Sequence, residues 1–261
     1  MATGTTSTPP GLSNDQLIEM LGLIKGADSV ELKLTVPDSS QRSTAAALEM
    51  DPLDAQIRQV FFFDTPELAL NEAGVVVRAR RVQGKGNDSV VKLRPVVPTE
   101  LRKELRKSPN LVVEVDALPG GFVCSAALKQ KLPPTEVRTT ILEGKPLRTL
   151  FSKEQRAFFV ANAPEGVGFD DLLVLGPIFV LKLKWSPRDF GRPLVAELWL
   201  YPDGTRILEL STKCATTEPM QVAAEARAFL AAKGVDLSGE QQTKTKTALE
   251  FYANELAAAS G

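Results

Sequence analysis

Val30-Glu31-Leu32-Lys33-Leu34 places two charged side chains two residues apart in a run that is otherwise aliphatic. Successive side chains of a strand alternate between its faces. Glu31 and Lys33 therefore project together, and Val30, Leu32 and Leu34 project the opposite way. Val77-Arg78-Ala79-Arg80, Val91-Lys92-Leu93-Arg94 and Val180-Leu181-Lys182-Leu183-Lys184 repeat the pattern. The direction of these faces decides the architecture. An antiparallel sheet with one wet face gives such alternation by itself. A closed barrel with the charged faces inward gives it too, and then the charges form a basic tunnel suited to a polyanion. Helical segments with apolar stripes recur between the strands and need a surface to cover, which the greasy outside of a barrel supplies.

Composition narrows the chemistry. The 261 residues carry 31 basic and 32 acidic side chains, a net charge of −1. That balance argues against general nucleic-acid binding, which wants a marked basic excess, and leaves room for a local basic site. There is no histidine, so the commonest general base and the usual zinc ligand are missing. A metal site must then be built from carboxylates, which suit hard ions such as Mg²⁺ or Mn²⁺. The two cysteines, Cys124 and Cys214, exclude a disulfide framework and point to a reducing, cytoplasmic setting. Residues 1–12 are uncharged and rich in Thr, Ser and Pro, expected as a flexible tail rather than a signal peptide. No apolar run approaches a membrane span.

Ser13-Asn14-Asp15-Gln16 resembles a capping box that opens a helix. Strands are expected over 29–36, 59–63, 75–82, 89–96, 111–116, 172–174, 178–185, 194–201 and 206–212. Asp64 and Thr65 fix a turn, and Tyr201-Pro202-Asp203-Gly204 makes a hairpin. Ser125-Ala126-Ala127-Leu128-Lys129 and Lys153-Glu154-Gln155-Arg156-Ala157 are expected to be helices around a Pro-containing turn, and 222–233 and 244–258 are expected to be helical too. This gives one α+β domain over 13–256, with 257–261 as a second tail.

Several segments together resemble the CYTH proteins, the triphosphate tunnel metalloenzymes. Val30-Glu31-Leu32-Lys33 is similar to the end of that family's ExExK strand, and Phe62-Phe63-Asp64-Thr65-Pro66-Glu67-Leu68-Ala69-Leu70 to its YFDTPDLAL segment. Gly74 to Arg80 and Val91-Lys92-Leu93-Arg94 match its basic strands, and Leu208-Glu209-Leu210 and Thr243-Lys244-Thr245 its last strand and C-terminal helix. The resemblance implies a closed eight-stranded antiparallel β-barrel, a tunnel with helices packed outside. It also implies metal-dependent hydrolysis of a triphosphate-containing small molecule, with Mg²⁺ or Mn²⁺ as cofactor. On that pattern Glu31 and Lys33 are catalytic, and Arg78, Arg80, Lys92, Arg94, Lys182 and Lys184 hold phosphate. Glu31, Glu209, Glu114 and Glu197 are the metal ligands. The expected partner is the triphosphate alone, with no nucleic acid or membrane, on a monomer or homodimer. Ser29 and Ser211 stand where the family has carboxylates. Two alternatives stay open: a class IV-like adenylate cyclase, and a non-catalytic polyphosphate- or nucleotide-binding module.

Overall fold

The alternating stretches are strands, and they close on themselves. The computed structural model describes residues 14–239 and 244–260, so Ser13, Thr243 and the expected tail over 1–12 lie outside the described residues. The strands are β1 (Ser29–Val36), β2 (Gln56–Asp64), β3 (Val75–Val82), β4 (Asn87–Leu93), β5 (Leu111–Leu118), β6 (Gly121–Leu132), β7 (Leu173–Trp185), β8 (Leu194–Leu200) and β9 (Arg206–Cys214). The helices are α1 (Asn14–Ile24), α2 (Gln41–Ala47), α3 (Ala69–Glu72), α4 (Lys103–Arg106), α5 (Glu136–Leu142), α6 (Lys153–Val160), α7 (Pro219–Ala232) and α8 (Lys244–Ser260). Around the barrel the order is β1-β5-β6-β4-β3-β2-β7-β8-β9, and β9 pairs back with β1.

The barrel thus has nine strands and is mixed, not eight-stranded and antiparallel. β1 and β5 run parallel, with Ser29 opposite Glu114 and Glu31 opposite Asp116. The extra strand is β6, whose Ser125–Lys129 core is expected from sequence to be helical. Alanine's helix preference amounts to only a few tenths of a kcal/mol per residue. Here it is outweighed by pairing on both sides, to β4 and β5, and by burial from Cys124 to Leu128. The two strands expected over 172–185 are one, β7, whose register against β2 shifts between Val60 and Phe62. Pro177, without an N–H, sits at that irregularity. α8 runs on to Ser260, past the expected domain end at 256.

The aliphatic faces point outward. Val30, Val77, Val91, Val113 and Leu128 pack with Phe151, Phe158, Phe159 and Phe169 from the segment between β6 and β7. On the far side α7 lays Phe229 and Leu230 over Val36, Leu183, Ala196, Leu208 and Leu210. Each such side chain contributes roughly 1.5–3 kcal/mol by leaving water, so the helices fix the charged alternates inside. α6 is docked by Gln155, which is 1% exposed. Its Nε2 donates to the carbonyls of Ser89 (3.1 Å) and Leu128 (3.0 Å), and its Oε1 accepts from Ser89 Oγ at 3.1 Å. One end of the lumen is apolar: Phe62, Ile178, Trp199 and Ile207 pack with Ala248 and Leu249 of α8. Tyr201 OH donates to the carbonyl of Lys244 (3.0 Å) and Tyr252 OH to that of Pro177 (2.9 Å), pinning α8 across that mouth.

Candidate functional site: a basic tunnel

The turn after β2 delivers the basic strands to their places. Buried Asp64 accepts from the backbone N–H groups of Thr65 (2.8 Å), Leu70 (2.9 Å) and Asn71 (3.0 Å). Thr65 Oγ1 accepts from Ala69 N at 3.1 Å. This satisfies α3's first donors. Gly74 then leads into β3 at φ 71°, and a Cβ there would meet the Arg94 carbonyl at 2.5 Å. Arg94 N donates to Gly74 O at 2.8 Å. Only glycine permits this approach, and it sets Arg94 at the rim of the lumen.

β1, β5, β8 and β9 form an acidic wall. Lys33 lies between Glu31 (3.3 Å) and Asp116 (2.8 Å), and Arg94 reaches Asp116's other oxygen at 2.8 Å. Ser211 Oγ donates to Glu31 at 3.0 Å, and Ser29 Oγ to Glu114 at 3.3 Å. Glu114 is also ion-paired with Lys213. Further along, Lys244 bridges Glu197 (2.9 Å) and Glu209 (2.7 Å), and Lys182 holds Glu197 at 2.8 Å. Burial alone would raise the carboxyls. For Glu31 the charges of Lys33 and Lys213 outweigh it, and for Asp116 those of Lys33, Lys92 and Arg94, so both stay below their usual range. Glu197 is held well below it by Lys244 and Lys182 against the same burial. Lys33 and Lys244 are raised in turn by their carboxylates, against burial.

β2, β3, β4 and β6 form the opposing basic wall, with Arg58, Arg78, Arg80, Lys92 and Lys129. Asp88 on β4 takes Arg80 in a two-pronged pair at 2.8 and 2.9 Å. Arg78 has no carboxylate partner among the described residues, and its buried Nε has no hydrogen bond. Burial and repulsion from Arg80 pull its guanidinium down to about 10. Lys92 likewise has no ion pair among the described residues. Burial, with Lys33 and Arg94 nearby, lowers it to about 8 despite Asp116. Two poorly satisfied cations face a carboxylate-lined wall across the lumen. An anion that reached them would relieve that burial.

The sequence-expected residues fall into place as follows. Glu31, Lys33, Arg78, Arg80, Lys92 and Lys182 face the lumen, with Arg94 at its rim. Lys184 continues the inward face of β7 but is exposed at the open mouth. The four expected metal ligands separate. Glu31 and Glu114 converge with Asp116, their carboxylate oxygens within 4.8 Å of one another. Glu197 and Glu209 oppose each other across β8 and β9 and share Lys244. Asp116 is absent from the sequence-based set although Val113-Glu114-Val115-Asp116 carries the same alternation. Arg58 lies one residue before the expected start of β2. Lys244 stands on a helix, where no strand periodicity marks it. Arg156 lies outside, donating to the Phe151 carbonyl at 2.6 Å.

The Glu31–Glu114–Asp116 cluster suits a hard divalent cation. It offers oxygen donors only, and two of its members are held ionised by neighbouring cations. No protein-family model matches the sequence, and no curated protein matches it. Solved structures do match. A candidate adenylyl cyclase from Hippeastrum with a dominant triphosphatase activity aligns at 18% identity and TM-score 0.59, over 81% of this chain and 91% of its own. A candidate adenylate cyclase from Bacillus halodurans aligns at 12% identity and TM-score 0.58, over 84% of this chain and 97% of its own. At these identities the likeness is one of fold. The chain shares with these structures a closed barrel carrying helices, which is the broad architecture the sequence resemblance implies. Among the described residues no helix is long and apolar enough to cross a membrane.

Proposed function

We propose that the protein is a metal-dependent hydrolase of triphosphate-containing substrates. The observation that carries this reading is the inward-facing pair Arg78 and Lys92, cations without a carboxylate partner among the described residues, on a wall opposite clustered carboxylates. Arg78, Lys92 and Arg80 would grip phosphate oxygens by charge-assisted hydrogen bonds. Glu31, Glu114 and Asp116 would hold Mg²⁺ or Mn²⁺, which supplies charge neutralisation and a water of lowered pKa. Lys33, paired with both Glu31 and Asp116, would offset their mutual repulsion and orient them. Lys182 and Lys244 neutralise Glu197 and Glu209, so that this part of the acidic wall does not repel the anion. The fold-level match to a protein with triphosphatase activity supports the same reading.

Phosphate release from tripolyphosphate in the presence of Mg²⁺ or Mn²⁺ tests it. Release that stops with a chelator and in Glu31→Gln is expected. No release with either metal would refute hydrolysis and leave the binding-module reading, which Ser29 and Ser211 favour because hydroxyls are weaker ligands for a hard cation than carboxylates. Chromatography of ATP reactions separates the cyclase reading: cyclic AMP rather than ADP and phosphate would support it.

A further inference from the structure

Glu197 on β8 and Glu209 on β9 stand opposite each other in register on the lumen side. Glu209 is 6% exposed, and the Glu197 side chain 19%. Their carboxylate oxygens are already taken by lysines. Lys244 Nζ donates to Glu197 Oε2 at 2.9 Å and to Glu209 Oε1 at 2.7 Å. Lys182 Nζ donates to Glu197 Oε1 at 2.8 Å, and Trp199 Nε1 to Glu197 Oε2 at 3.4 Å. Two carboxylates meet two ammonium groups, so the set is neutral as it stands.

Lys244 is also held from behind. It opens α8, its carbonyl accepts from Tyr201 OH, and its ammonium lies 5.1 Å from the centre of the Trp199 ring. Ala248, one turn further on, is fully buried at the apolar end. The ammonium cannot turn to water unless the first turn of α8 leaves the barrel. The Glu31–Glu114–Asp116 cluster differs in this respect. Of the cations paired with it among the described residues, Lys33 is enclosed, whereas Lys213 is half exposed and Arg94 stands at the rim. With those two turned to solvent, three carboxylates face one lysine and keep the negative charge that a divalent ion needs. A cation entering the Glu197–Glu209 pair would instead share two carboxylates with two lysines at close range, or expel a buried ammonium.

We propose, resting on the metal-dependent reading above, that Lys244 is a resident counter-cation that closes the Glu197–Glu209 pair to divalent metal, so that the protein takes one such ion and not two. That ion goes to Glu31, Glu114 and Asp116, and the fixed charge of Lys244 replaces the second ion of a two-metal site. Equilibrium dialysis of the intact protein against Mn²⁺ counts the ions. One per chain is expected for wild type. Lys244→Met should bind two, the second lost again in Lys244→Met/Glu209→Gln. Glu209→Gln alone should keep one ion with affinity within about twofold of wild type, whereas Glu31→Gln should weaken it at least about tenfold. Melting curves verify folding, and Glu209→Gln, which keeps the size of the side chain, decides the matter even where Lys244→Met undocks α8. Two ions in wild type, or one in a folded Lys244→Met, overturns the proposal. So does loss of the wild-type ion in Glu209→Gln. If wild type takes no Mn²⁺, the metal-dependent reading fails by itself. An ion gained in Lys244→Met would then still uphold the role of Lys244, and none in either protein would overturn both.

Discussion

Lys92→Met should make the ligand-free protein more stable and a worse anion binder at once. The ammonium is lowered from 10.5 to about 8, first by burial and then by repulsion from Lys33 and Arg94. At about 1.4 kcal/mol per pH unit, that corresponds to an upper figure of about 3 kcal/mol against the charged form. The lumen admits water to this side chain, and screening reduces the gain expected from removing it to about 1–2 kcal/mol. For a chain of this size that is a rise of roughly 2–6 °C in melting temperature. A base whose folded pKa lies below its unfolded one leaves the unfolded chain holding more protons. The penalty is therefore complete below pH 8 and fades toward 10.5, so wild-type stability should climb across that window relative to Lys92→Met. Tripolyphosphate affinity should move the other way, falling by about thirtyfold or more as a charge-assisted phosphate contact is lost. Urea unfolding across that pH range and calorimetry at neutral pH measure both. A variant less stable than wild type at pH 7, or one that binds tripolyphosphate equally well, would show that Lys92 is not the unsatisfied cation described.

Glu197→Gln leaves Lys182 and Lys244 without their shared carboxylate. Because Lys244 and Lys182 depress Glu197 against burial, its contribution is present above the ordinary 4.5 and lost as pH falls below it, so the variant should be less stable at pH 7 and lose less than wild type on acidification, by thermal melts. Gln155→Leu removes three buried hydrogen bonds that dock α6 and should cost about 2–4 kcal/mol in urea unfolding; a wild-type midpoint would refute the docking role. Gly74→Ala forces a Cβ against the Arg94 carbonyl at 2.5 Å. It should destabilise by about 1–3 kcal/mol and weaken anion binding through Arg94, and an unchanged melt and affinity would contradict that.

Most of the tunnel wall was legible because period-two alternation survives any closure of the sheet. Glu31 with Lys33, and Arg78 with Arg80, must share a face whatever lies around them. Their inward direction was not contained in the alternation; it came from the helices that needed the other face. β6 was hidden because Ser125-Ala126-Ala127-Leu128 has small side chains whose weak helix preference yields to pairing on both edges. With β6 missed, the parallel pairing of β1 with β5 could not be foreseen, nor the approach of Glu114 and Asp116 to Glu31 that follows from it. Lys244 reaches Glu197 and Glu209 from a helix more than thirty residues away in sequence, a contact that only the tertiary structure makes.

The charged faces line a lumen proposed to hold a polyphosphate end. Calorimetric titration of the wild-type protein with tripolyphosphate, with Mg²⁺ or Mn²⁺ and then with a chelator, at two salt concentrations, addresses it most directly. A single site whose affinity falls as salt rises and collapses in Arg78→Gln is the predicted result. No binding at low salt under either condition, or binding indifferent to both salt and Arg78, would contradict it.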